Sequence, residues 1–299
     1  MSPNPQHGTS AGDATIALRK LARQTGGDVQ ELMTLYALEG LLARIASSEY
    51  RDDFVLKGGV LLAAFAARRP TKDIDLQATR LTDDPDEVAE RVRAIARLEL
   101  ADGLVFDPAS VTATTIRDED EYAGVRVKLI ATLGTARLTV GMDVNFGDPI
   151  WPAPQLIELP PVTDLGLPPV TLLGYPLTMV LAEKLVTAVD RGAANTRWRD
   201  FADVYTLIRL HSVDAGELRT SIETVAEYRK VTLAPLLPTL ASMNERAQQK
   251  YRAWRTRAHR EGELPAAFTD VLAAVAGFAD LVLSSTARGQ WNPRLHAWE

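Results

Sequence analysis

From Val29 to about Ser48 the apolar residues Leu32, Leu35, Tyr36, Leu42 and Ile45 recur at helical spacing behind an Asp28 cap. The rhythm changes at Phe54-Val55-Leu56, a short apolar run that reads as a strand and is broken by Gly58-Gly59. Val60 to Ala67 predicts a helix stopped by Arg68-Arg69-Pro70, and Asp73 to Ala78 a second strand. Asp84-Pro85 supplies a cap and a first-turn proline for a helix through Val88, Val92, Ile95 and Leu98. Tyr122 to Ala131 and Arg137 to Phe146 alternate as strands do, with Leu133-Gly134-Thr135 between them as a hairpin turn. Together these elements predict a mixed sheet of about four or five short strands with helices on one side, an α+β arrangement.

Beyond residue 150 the pattern differs. Prolines at 152, 154, 160, 161, 168 and 169 with no periodicity mark a linker. The remainder of the chain is helical by pattern: Tyr175-Pro176 opens a helix closed by Gly192, and others run over Trp198 to Leu210, Ser242 to about Arg260 and Ala266 to Ser284. The expected organisation is a flexible segment over 1–27, a sheet domain over 28–150, a proline-rich linker over 151–170 and a helical domain over 171–299. The charge-free stretch from Leu165 to Ala182 is interrupted by Pro168, Pro169, Gly174 and Pro176, so it reads as a loop entering a helix and not as a membrane span. With no basic, then apolar, leader at the N-terminus, a cytoplasmic address is expected.

Composition narrows the chemistry. The 299 residues include no cysteine and four scattered histidines, which excludes thiolate catalysis, cysteine-bound zinc and iron–sulfur clusters. A metal would have to be held by carboxylates, which points to a hard ion such as magnesium. The net charge is −6, and the whole acidic excess lies in the first 150 residues. An RNA partner would therefore need a local basic surface. Arg246, Lys250, Arg257 and Arg260 supply a candidate, a stripe on one helix with Tyr251 and Trp254 beside it, preceded by a Ser242/Glu245 capping box.

The central chemical feature is Lys57-Gly58-Gly59, thirteen intervening residues, then Asp73-Ile74-Asp75. Alternate residues of a strand share a face, so Asp73 and Asp75 project together while Ile74 and Leu76 point to the core. Two such carboxylates can grip one or two magnesium ions, and adjacent glycines at a helix start let a phosphate approach the backbone closely. In Leu138 to Phe146 the alternation puts Asp143 on a polar face, and an antiparallel pairing beside the Asp73/Asp75 strand would bring three carboxylates together. Lys184 interrupts the apolar face of the helix after the linker, where either a triphosphate or a snorkelling position at the edge of the stripe would account for it. Asp200 and Asp203 lie together on the flank of the next helix, either placed to orient Lys184 or Arg197 or as ordinary surface charges. Thr71, two residues before Asp73, is a candidate control point through phosphorylation. Trp291 and Trp298 are left to dock either on the body or on a partner.

Phe54-Val55-Leu56-Lys57-Gly58-Gly59, Thr71-Lys72-Asp73-Ile74-Asp75-Leu76, Met142-Asp143-Val144, Ala182-Glu183-Lys184-Leu185 and Arg199-Asp200-Phe201-Ala202-Asp203-Val204-Tyr205, in that order, resemble the AbiEii/AbiGii toxin group of DNA-polymerase-β-like nucleotidyltransferases. The resemblance spans roughly residues 50–210. It implies a nucleotidyltransferase sheet domain followed by a helical domain, a toxin with a cognate antitoxin, and, in the tRNA-modifying branch, addition of pyrimidine nucleotides to the tRNA 3′ acceptor end. It further implies that Asp73, Asp75 and Asp143 hold magnesium, with Asp143 as possible base. The nucleoside triphosphate would meet Lys57, Gly58, Gly59, Thr71, Asp200 and Asp203, and Lys184 would neutralise its β- and γ-phosphates. Gly58-Gly59 stands where many members of the superfamily have Gly-Ser. Transfer to a protein or small-molecule hydroxyl, and a catalytically silent nucleotide- or partner-binding module, are the alternatives.

Overall fold

The computed structural model describes residues 5–117, 123–192, 197–240 and 245–299. The chain divides into two compact units, one built from residues 1–64, 68–147 and 155–174, the other from residues 65–67, 148–154 and 175–299.

The first unit is a seven-stranded mixed sheet with helices. Helices α1 (Ser10–Thr25) and α2 (Val29–Ser47) precede strand β1 (Phe54–Lys57), a single helical turn α3 (Gly58–Leu61) and strand β2 (Asp73–Ala78). Helix α4 (Pro85–Ala96) then leads to β3 (Leu104–Arg117), β4 (Ala123–Leu133) and β5 (Ala136–Asn145), and the sheet is completed by β6 (Gln155–Leu159) and β7 (Val170–Gly174). The strand order is β3-β4-β5-β2-β1-β7-β6. The caps expected from the sequence form: Asp28 accepts from the Gln30 N–H and Asp84 from the Asp86 N–H. Along β4, β5 and β2 one face is apolar and buried, with Val127, Leu129, Leu138, Val140, Met142, Val144, Ile74 and Leu76 at most 1% exposed. Fully burying side chains of this kind contributes about 1.5–3 kcal/mol each, which fixes register because a slip of one residue would turn every apolar side chain outward.

Four expectations are corrected. The segment expected to be flexible holds α1, which Thr9 caps and which buries Ala14, Leu18 and Ala22 along one stripe at i, i+4, i+8. The proline-rich linker contains β6, an edge strand, the one place in a sheet where flanking prolines cost no ladder hydrogen bond. The loop expected before α5 contains β7, paired parallel to β1. The helix expected over 60–67 is shorter, since α3 gives way to a 3-10 segment over Leu62–Phe65.

The second unit is largely helical. It comprises α5 (Leu177–Arg191), α6 (Trp198–Leu210), α7 (Ala215–Arg229), α8 (Leu236–Leu240), α9 (Glu245–Arg257) and α10 (Phe268–Leu283). Strands β8 (Val213–Asp214), β9 (Gln290–Asn292) and β10 (Ala297–Trp298) form a small sheet in the order β10-β9-β8. The C-terminal tryptophans dock on this unit itself: the Trp291 indole N–H donates to the Ile208 carbonyl (2.6 Å) and that of Trp298 to the Phe278 carbonyl (3.0 Å). Trp298 also stacks on Phe278 at 5.1 Å. Among the described residues no helix is long and apolar enough to cross a membrane.

Candidate active site

The sheet brings the three sequence-predicted carboxylates together by register, although β2 and β5 pair parallel and not antiparallel. Asp75 lies opposite Asp143, and Asp73 opposite Gly141. Registered neighbours in a sheet share a face, so all three aspartates stand on the side away from the apolar core. The absence of a side chain at Gly141 makes this possible: a Cβ there would lie 2.0 Å from Asp73 Oδ1.

The glycine pair serves the same end. Gly58 has φ +68, a left-handed conformation that costs glycine little, and a Cβ on it would sit 1.9 Å from Asp75 Oδ2. The Gly59 N–H donates to that same oxygen at 3.3 Å. The glycines thus make room for, and hold, a carboxylate, where the sequence suggested a phosphate cradle at a helix start. A helix of one turn has little macrodipole to offer an anion. The Thr71 hydroxyl lies close against Gly59 and donates to the Asp73 carbonyl at 3.4 Å. Lys57 lies opposite Asp75 on β1 and is buried.

One member of the site is not among the residues the sequence singles out. Arg126 on β4 lies directly opposite Asp143 and binds it through two hydrogen bonds, Nε to Oδ1 at 2.8 Å and Nη2 to Oδ2 at 2.6 Å. The Asp143 carboxylate, by hydrogen bond and charge, holds the guanidinium well above its usual range, and Asp73 and Asp75 add to this. One row therefore crosses four strands as Arg126, Asp143, Asp75, Lys57. A signal is present in the sequence, since Arg126 occupies a polar position of an alternating strand, but such positions ordinarily mean only a wet face. Among the described residues no group of three or more His, Cys, Asp or Glu side chains is drawn together closely enough to hold a metal ion. Asp143 is turned to Arg126 instead.

In the helical unit, Lys184 is 11% exposed and its Nζ donates to Asp200 Oδ1 at 2.7 Å and Asp203 Oδ2 at 2.8 Å. Asp203, expected on the flank of α6, is buried. The lysine that interrupts the apolar face of α5 is thus held by two aspartates of α6. The basic stripe does not survive as drawn. Lys250 and Arg257 are exposed, but Arg260 lies beyond the end of α9, is 4% exposed, and binds Glu263 (2.8 Å) and the Thr206 hydroxyl (3.0 Å). Tyr251 and Trp254 face inward, Tyr251 against Phe268 at 5.0 Å, so neither ring is free to stack on a base. Ser242 and the side chains of Glu245 and Arg246 lie outside the described residues.

Comparison with known proteins identifies the family. A family model described as "Nucleotidyl transferase AbiEii toxin, Type IV TA system" matches residues 40–274, more than half of the chain. The crystal structure of JHP933 from Helicobacter pylori superposes with a TM-score of 0.50 at 13% identity, covering 87% of this chain and 94% of that one. A second H. pylori structure, whose description assigns it provisionally to the nucleotidyltransferases, gives a TM-score of 0.48 at 12% identity over 89% and 96% of the two chains. At such identities the likeness is one of fold. No curated protein matches the chain.

Proposed function

The chain belongs to the AbiEii nucleotidyl transferase toxin family, and on that premise we propose that it moves a nucleoside monophosphate, with a pyrimidine base, from a nucleoside triphosphate to the 3′ acceptor end of tRNA in the cytoplasm. Aminoacylation, and with it translation, is blocked by the product. The observation that carries this reading is the register of β2 against β5, which gathers Asp73, Asp75 and Asp143 on one face beside Gly58 and Gly59.

Asp73 and Asp75 offer hard oxygen donors two residues apart, and the glycines at 58 and 141 leave the space their carboxylates occupy. The residues fit a magnesium ion that arrives with its nucleotide, because magnesium is ordinarily held by one or two carboxylates plus substrate phosphates. When bound, the ion offsets phosphate charge and favours the ionised form of a hydroxyl. In the transfer the acceptor oxygen forms a bond to the α-phosphorus, the bond from that phosphorus to the bridging oxygen breaks, and pyrophosphate leaves. Asp143, in register with Asp75 on the same face, would take the proton of the acceptor hydroxyl. Lys184, held by Asp200 and Asp203, is the residue to which the family resemblance assigns the charge of the β- and γ-phosphates. An antitoxin partner follows from the type of system the family serves.

The test is incubation of the protein with each labelled nucleoside triphosphate, magnesium and total RNA, beside Asp75→Asn. Label on tRNA with wild type, lost at least 100-fold in the variant, is expected. Label on protein or on a small molecule replaces the acceptor, and near-normal turnover by Asp75→Asn overturns the site.

A further inference from the structure

The Arg126–Asp143 pair poses a question that the transfer reaction leaves open. A carboxylate needed near the phosphates is occupied by a guanidinium, and that guanidinium stands on the same open face of the sheet as Asp73 and Asp75. Its neighbour two residues along β4, Lys128, is exposed on the same face, opposite Gly141 in the row that continues to Asp73. Arg126 is itself exposed, with 47% of its side chain open to solvent, so it can change partner at small desolvation cost.

We propose that Arg126 is an exchangeable counter-ion: it covers Asp143 before substrate binds, and when a divalent cation and its nucleotide arrive it releases that carboxylate and takes a phosphate oxygen, with Lys128 beside it. Arginine suits both partners because its planar fork pairs bidentately with carboxylate and with phosphate alike. Before binding, the face sets the three acids Asp73, Asp75 and Asp143 against Arg126, Lys128 and Lys57. A triphosphate with one divalent cation still carries about two negative charges, which a released Arg126 and the neighbouring Lys128 are placed to meet. The phosphate comes either from the triphosphate or from the acceptor strand. The inference rests on the proposed nucleotidyl transfer for its second half, while its first half concerns cation binding alone.

Two readouts test it on the full-length protein. In the first, Mn2+ binding without nucleotide is followed by the loss of the free-ion EPR signal. Arg126→Gln removes the competing cation, so Mn2+ is expected to bind about tenfold more tightly than to wild type, and Arg126→Gln combined with Asp143→Asn is expected to lose that gain. In the second, KM is measured separately for the triphosphate and for RNA. Arg126→Gln is expected to raise at least one of them tenfold or more, and the one that moves identifies the source of the phosphate. Arg126→Lys, which keeps charge but not the fork, is expected between the two and serves if the glutamine variant does not fold. Unchanged or weaker Mn2+ binding in Arg126→Gln, or unchanged KM for both substrates with Mn2+ binding intact, overturns the exchange. Absence of transfer by wild type to any RNA would refute the acceptor assignment instead, leaving the Mn2+ result to stand or fall by itself.

Discussion

Replacing Gly141 by alanine adds one methyl group to the sheet face beneath Asp73. The added Cβ would lie 2.0 Å from Asp73 Oδ1 and 3.0 Å from its Cγ, whereas ordinary contact begins near 3.4 Å. The carboxylate must therefore move by more than an ångström, and it can, because Asp73 is exposed. Gly141 has no positive φ, so alanine brings no backbone strain. In the middle of a strand it is favoured over glycine by roughly 0.5–1 kcal/mol. Stability and activity are thereby expected to part company. A misplacement of about 1 Å costs on the order of 100-fold in rate, or ~2.7 kcal/mol of transition-state stabilisation, while the melting temperature stays level or rises. Nucleotidyl transfer kinetics and a thermal melt on the same preparation decide the matter. Activity within threefold of wild type would refute the claim that the position of the Asp73 carboxylate matters, and a fall in melting temperature would refute the claim that the clash is confined to that side chain.

Two further outcomes concern buried charge. Lys184→Met should destabilise the protein by about 3–5 kcal/mol in urea denaturation, because the ammonium that donates to both Asp200 and the buried Asp203 is lost. An unchanged midpoint would mean that the three groups are not coupled. Glu39, which accepts from the Val162 N–H at 2.8 Å, is pushed up to about 7 by burial. A carboxyl raised in the folded state binds more protons there than in the unfolded chain between its ordinary value of 4.5 and about 7, so its ionisation costs stability as pH rises through that window. Glu39→Gln is expected to stabilise the protein by about 3 kcal/mol at pH 8, with the gain shrinking below pH 7 and gone below pH 4.5. Urea melts at pH 5, 6.5 and 8 measure it, and a pH-independent difference would contradict it.

The elements legible in the sequence are those whose signal is local. Asp73-Ile74-Asp75-Leu76 alternates without interruption and yields β2 at its observed bounds, and Asp28 and Asp84 announce α2 and α4 because a cap is a contact between near neighbours. Strand β3 is not legible, since Pro108 and a register shift between Asp107 and Thr112 break its alternation, and Val105, an apolar residue, is 67% exposed on it. The parallel pairing of β2 with β5 depends on where the chain returns after about sixty residues, which no local pattern encodes. A helical wheel places Lys250, Arg257, Tyr251 and Trp254 on α9 but cannot say which arc meets the core. Burying two aromatic rings outweighs exposing them, so the rings turn inward. Arg126 is invisible for the complementary reason: its meaning lies wholly in the residue across the strand from it.

That the acids are shared between β2 and β5 also sets a timetable for the cell that makes the chain. A ribosome has added Asp73 and Asp75 long before it reaches Asp143, and the pairing of Asp75 with Asp143 waits until β5 has emerged and settled beside β2. Any fragment ending ahead of residue 143 lacks the third acid, so a prematurely terminated message yields a product without the complete set of charges.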